Sequence, residues 1–135
     1  MNAAPSTAWK AAHWIALLLL CAAYLQGGID KALDFPGAIA EMAHFGLAPP
    51  AVFAVLVIAL ELGASLAILS GVLRWAGALA LAVFTLGATF LAVRFWELPL
   101  AQRLPAANTF FEHLGLAGGF LLVAWHDWRG RRATR

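Results

Sequence analysis

Between Pro49 and Gly71 the chain runs through apolar and small residues with one ionisable side chain, Glu61, near the middle. Counted from Pro50, Glu61 lies 11 residues in (61 − 50), a depth of ~16 Å along a helix and about half of a ~30 Å hydrocarbon core. A carboxylate at that depth costs roughly 2.5–3.5 kcal/mol on insertion scales, so it has to face other helices or a polar cavity and find a partner there. This single acid demands that the segment be one helix among several.

Composition agrees with a bilayer setting. The 135 residues are 63% hydrophobic and 12% charged, with a mean hydropathy of +0.82, whereas soluble domains are about 45–50% apolar. Several windows are long and apolar enough to span as helices, and none shows the alternation of an outer-membrane barrel. The predicted fold is all-α: a four-transmembrane-helix bundle in a single domain, residues 1–135, with spans near 12–30, 50–71, 75–96 and 109–128. The pI near 9.2 comes from cations grouped at the C-terminus beside a helix end. They read as topology signals, so the bilayer is the expected partner and nucleic acid is not. Cys21 is the only cysteine, which excludes an internal disulfide or a C-x-x-C redox pair.

In chain order, Trp9 and Lys10 form an interfacial anchor before a first apolar segment, 14–29, kept as a helix because no small-x-small cleavage site follows it. It ends in Gly27-Gly28-Ile29-Asp30-Lys31, where a glycine pair lets another backbone approach. Ile39, Met42 and Phe45 have helical spacing in a mixed stretch, predicting a short amphipathic interfacial helix between helices one and two. The next helix carries Ala59, Gly63, Ala67 and Gly71 at four-residue steps, a flat face suited to close packing. Ser65 stands one turn after Glu61; Thr85 and Thr89 stand one turn apart on the following helix. Residues 97–108, with Pro99 and Pro105, read as a loop, and Gly115 and Gly119 fall in the last helix.

An even number of spans puts both termini on one side. Lys10, Arg74 and four C-terminal arginines gather there against Lys31, Arg94 and Arg103 opposite, so the positive-inside bias places both termini in the cytoplasm. Lys31, Arg94, Glu112 and His113 then meet at the outer face. The predicted site is a small cavity floored by Glu61, Ser65, Thr85 and Thr89 and rimmed by those four. It would take a small polar or quinone-like ligand, or pass protons; the alternative is that the rim charges serve headgroups and Glu61 merely fixes helix pairing. No H-E-x-x-H, paired histidines or Cys/His cluster appears, so no metal site is expected.

Several short patterns recur in a definite order. They are Gly27-Gly28-Ile29-Asp30-Lys31 with Pro36 and Gly46-Leu47-Ala48-Pro49; Leu60-Glu61-Leu62-Gly63 with Leu69-Ser70-Gly71 and Arg74; Ala88-Thr89 before Arg94-Phe95-Trp96; and Phe111 to Leu122 around Gly118-Gly119. Together, from about Leu17 to Val123, they resemble the DoxX family. The resemblance implies a four-helix bacterial inner-membrane protein. It also implies a membrane subunit of a quinone-linked oxidoreductase with soluble redox subunits as partners, since related proteins are described in those terms. Where the family often has a histidine before Arg-Phe-Trp this chain has Val93, and where it often has Lys-Asn this chain has Glu112-His113. The other reading of the residues is a non-catalytic binding or small-solute transport component, working as a homo-oligomer through the flat helix faces.

Overall fold

The computed structural model describes residues 3–135. Five α-helices follow one another: α1 (Thr7–Leu33), α2 (Phe35–His44), α3 (Pro50–Ser70), α4 (Arg74–Ala92) and α5 (Leu100–Ala133), with one 3-10 turn, Phe95–Glu97, before the last. No strand occurs among the described residues. Thr7–Leu33, Pro50–Ser70 and Arg74–Glu97 are long and apolar enough to cross a membrane. α5 does not reach that hydropathy, because Gln102, Arg103, Asn108, Glu112 and His113 occupy its first half and Asp127, Arg129, Arg131 and Arg132 its end.

Local chemistry explains the corners. Ser6 caps α1 by accepting the Trp9 N–H at 3.2 Å. Asp34 ends α1 and begins α2, its Oδ1 accepting the Gly37 N–H at 3.1 Å while Pro36 stands in the first turn. Pro49 and Pro50 start α3. Gly71, at φ 82°, closes it in the left-handed conformation that a residue without Cβ adopts at no steric cost. Leu73 also has a positive φ of 53°. The next residue, Arg74, ties this corner down by donating from Nε to the Ile68 carbonyl at 2.7 Å.

The segment expected to be a loop, 97–108, is helical from Leu100 onward. Pro99 precedes the helix and Pro105 lies early in it. Pro99 costs nothing at the cap, whereas Pro105, the sixth residue, forfeits one i→i−4 bond early in a helix long enough to continue past it. α5 therefore begins well before Thr109, the predicted start.

α1 packs on α3, α3 on α4 and α4 on α5, while α1 and α5 touch least. The interior is built from small residues: Cys21, Ala64, Ala78 and Ala82 are buried beside Leu17, Ile68, Leu81 and Phe120. Large apolar side chains such as Leu19, Leu66, Val83 and Leu122 point outward. This arrangement suits an apolar solvent, in which helices gain by close backbone approach rather than by hiding large side chains. The closest approach is at Gly77, where an added Cβ would stand 2.8 Å from the Ala64 carbonyl oxygen. Gly28 is next, with Leu62 side-chain atoms 2.8 Å from its virtual Cβ.

The predicted small-residue face of α3 behaves differently. Ala67 does face Gly77, but Gly63 has open space where its Cβ would be, and Ala59 is exposed. Gly63→Ala should therefore leave stability unchanged or raise it by up to about 1 kcal/mol through helix propensity. Thermal unfolding in detergent checks this; a clear loss would mean that a second copy covers that face.

Candidate functional site

A cavity of about 570 Å3 opens between α1, α2, α3, α4 and α5 toward the end at which α1 terminates. Its walls are apolar, with Met42 and Phe45 from α2 and its C-cap, Phe53, Val57 and Leu60 from α3, Phe84 and Leu91 from α4 and Leu116 from α5. Its polar groups are few: Tyr24, Lys31, Glu41, Glu61, Thr85 and His113. A mainly apolar recess with a handful of convergent polar groups, within the usual ~300–1,000 Å3, is the form of a small-molecule site.

Lys31 and Glu61 are the charged centre. Lys31 sits on the last turn of α1 and Glu61 a little past the middle of α3, and the Lys31 Nζ reaches back to 3.4 Å from Glu61 Oε2. The side chains keep 18% and 8% of their exposure, respectively, so the pair is nearly withdrawn from solvent but accessible from the cavity. Gly27 makes room for it: a Cβ there would lie 3.5 Å from both Glu61 Oε1 and Lys31 Nζ. Gly28 meanwhile lets α1 close on α3 beside the acid. Gly28 thus sets the helix spacing beside the acid, while Gly27 borders the ion pair at ordinary contact distance.

A hydrogen-bond relay runs down α4. Thr85 Oγ1 donates to the Leu81 carbonyl at 2.6 Å, and Thr89 Oγ1 donates to the Thr85 carbonyl at 2.6 Å. Each hydroxyl has one proton, already spent on the backbone. The Tyr24 hydroxyl must then be the donor in its bond to Thr85 Oγ1. By the same logic the His113 Nδ1–H donates to Thr89 Oγ1 at 3.0 Å, which leaves Nε2 with no hydrogen-bond partner among the described residues. The cavity therefore offers a donor cation at Lys31, a carboxylate at Glu61 and a free ring nitrogen at His113. All buried side-chain nitrogens and oxygens among the described residues are hydrogen-bonded, so these polar groups are organised before any ligand arrives.

The eight residues marked by sequence separate into three groups. Glu61, Lys31, Thr85 and His113 line the cavity. Ser65 and Thr89 are buried behind it: Ser65 Oγ donates to the Glu61 carbonyl at 2.6 Å, and Thr89 holds His113. Arg94 and Glu112 stand outside it. Arg94 pairs with Glu97 at 3.2 Å, both about half exposed, because α4 ends at Ala92 and the chain turns outward before the arginine. Glu112 is exposed on α5, on a different face from its neighbour His113. Sequence reading missed Tyr24 and Glu41. Tyr24 carried a usable signal, as the only tyrosine and a polar-tipped ring inside an apolar span. Glu41 depends on where α2 docks, which spacing alone does not give.

A sequence model of the DoxX family matches residues 14–94. The chain belongs to the DoxX family. The match takes in α1 to α4 and both members of the ion pair, and it stops at Arg94, before α5. The chain is also 26% identical over 110 residues to the inner membrane protein YphA of Escherichia coli (strain K12), an alignment covering 82% of this chain and 79% of that one. No solved structure matches the chain. With three apolar helices of spanning length, this DoxX chain is a multi-pass integral membrane protein.

Proposed function

We propose that the chain is an inner-membrane DoxX subunit that binds the head of a quinone-class molecule in the cavity beside Lys31 and Glu61, and that serves as the membrane-facing part of an oxidoreductase complex. One observation carries this reading: a mainly apolar cavity that ends on a nearly buried ion pair. A quinone, a conjugated cyclic dione, is apolar over its ring and accepts hydrogen bonds only at its two oxygens. Lys31 Nζ supplies a donor for one oxygen, and His113 Nε2 accepts from the hydroxyl of the reduced form. Reduction of such a molecule takes up two electrons and two protons. The electrons come from a soluble partner carrying the oxidisable substrate; Lys31 holds one exchangeable proton at the site, and the Glu61 carboxylate accepts and passes on protons drawn from solvent at the cavity mouth.

The setting that supports this is a four-span bundle, residues 1–135, in which α5 completes the crossing and α2 lies at the interface. α5 packs along α4 and buries Phe110, Ala117 and Phe120, and the Trp75–Trp128 ring contact of 4.8 Å brings the start of α4 level with the last turns of α5. α2 sets Ala38 and Met42 on Ala54 and exposes Glu41 and His44. Both termini then lie on the cytoplasmic side with Lys10, Arg74 and the C-terminal arginines. Cysteine-accessibility labelling in a Cys21→Ala background checks the topology: Arg135→Cys should react only from the cytoplasmic side and Gly46→Cys only from the other. Labelling of both from one side would remove the fourth crossing.

Binding is tested by titrating the purified chain with a short-chain ubiquinone analogue, read by quenching of tryptophan fluorescence. Saturable binding is expected, weakened tenfold or more by Glu61→Gln or Lys31→Met, as loss of a charge-assisted contact implies. Non-saturating partition, equal in wild type and both variants, would sink the quinone reading.

A further inference from the structure

The opposite end of the molecule holds a second cavity, of about 350 Å3, which the proposed function does not use. His13 of α1, Arg74 of α4 and Trp125 and His126 of α5 line it, above a wall formed by Leu122 and Val123. Six of the nine lysines and arginines lie at this end, namely Lys10, Arg74, Arg129, Arg131, Arg132 and Arg135, against one of the seven acids, Asp127. Asp127 also borders the cavity, but it is already engaged: its Oδ2 accepts from the Trp75 N–H at 3.1 Å and from Arg131 Nε at 2.9 Å.

Arg74 is in the reverse position. Its Nε is fixed on the Ile68 carbonyl, and no carboxylate among the described residues lies within ion-pair distance of it. The terminal guanidinium nitrogens thus form a positioned cation without an acidic partner, half-buried beside two histidines. That chemistry suits a phosphate. The apolar wall decides the source. Leu122 is 71% exposed and Trp125 64% exposed, so the cavity is open sideways along α5. A free phosphate gains nothing from such a flank, whereas a lipid phosphate brings acyl chains that lie along it at the level where tryptophans mark a membrane interface.

We propose that this cavity is a binding site for an anionic phospholipid, with the phosphate held by Arg74, His13 and His126 and an acyl chain along Leu122 and Val123. It is independent of the quinone reading and needs only that the chain spans a bilayer.

The test uses the full chain, delipidated in detergent and titrated with dioleoylphosphatidylglycerol or dioleoylphosphatidylcholine under native mass spectrometry. The phosphatidylglycerol lipid should bind tenfold or more tightly. Arg74→Gln and His126→Glu should each reduce its affinity about fivefold or more, with the phosphatidylcholine affinity unchanged. Arg135→Gln, a charge outside the cavity, should change the preference less than twofold. Because Arg74 also secures the α3–α4 corner, His126→Glu at an exposed position carries the test if Arg74→Gln does not fold. Equal affinity for the two lipids would overturn the site. So would equal losses from Arg135→Gln and His126→Glu, which mean diffuse attraction to the arginine tail. Displacement of the lipid by equimolar inorganic phosphate would overturn the lipid assignment.

Discussion

Glu61→Leu is expected to destabilise the folded chain by roughly 3 kcal/mol, the low end of the range for removing one partner of a buried ion pair. The low end applies because Lys31 keeps 18% of its exposure and can swing its stem toward the interface. The informative comparison is the double variant. With Lys31→Met added, no unpaired charge is left at the position of the buried pair, and at least half of the loss should return. Equilibrium unfolding in one detergent, run as a double-mutant cycle, gives the coupling between the two residues directly. A neutral Glu61→Leu with no coupling to Lys31→Met would mean that the ion pair neither holds the helices nor preserves a charged site. Loss of ligand binding in a stable double variant would separate the pair's role in binding from its role in folding.

Gly77→Val should be as damaging, again by about 3 kcal/mol, for a purely steric reason. The first carbon of any side chain at that position would sit 2.8 Å from the Ala64 carbonyl oxygen, with the Ala67 Cβ at 3.1 Å. Backbone cannot turn aside as a side-chain tip can, so α3 and α4 have to separate, and overpacking of this kind costs typically ~1–3 kcal/mol. Gly28→Ala is the instructive contrast. Its obstacles are the Leu62 side chain, which can change rotamer, and the Glu61 Cβ at 3.3 Å, which needs only a small shift, so the loss should be smaller, about 1–2 kcal/mol. Thermal unfolding of the purified variants orders the three sites; a Gly77→Val protein as stable as Gly63→Ala would contradict the close α3–α4 crossing.

These two predictions show how unevenly the sequence speaks. That Glu61 must be enclosed and partnered was legible, because the cost of a carboxylate in hydrocarbon depends only on depth, and depth is counted along the chain. Lys31 was placed on the rim of the same cavity, and the last turn of α1 brings it to the acid as its partner. Close packing by small residues was also legible, but its place was not. A stripe of glycine and alanine on α3 was readable by spacing, yet Gly63 has open space at its virtual Cβ and the tight crossing falls at Gly77, which no repeat on its own helix announces. The rim went the same way. Arg94 and Glu112 were assigned to the cavity by membrane level alone, and level does not fix which way a side chain turns around its helix.

By itself the sequence determined the helical class, the membrane setting, the family and the acid that needs shelter. Each of these follows from hydropathy summed along the chain or from motifs in order, quantities that need no knowledge of neighbours. Only the tertiary structure decided which helix faces meet, and with them the ion-pair distance, the donor role of Tyr24, the free ring nitrogen on His113 and the docking of Glu41 beside the cavity. Those depend on rotation of each helix about its axis. In an apolar solvent that rotation is set by a few contacts such as Gly77 on Ala64, because a helix apolar on every side has no greasy stripe to point inward.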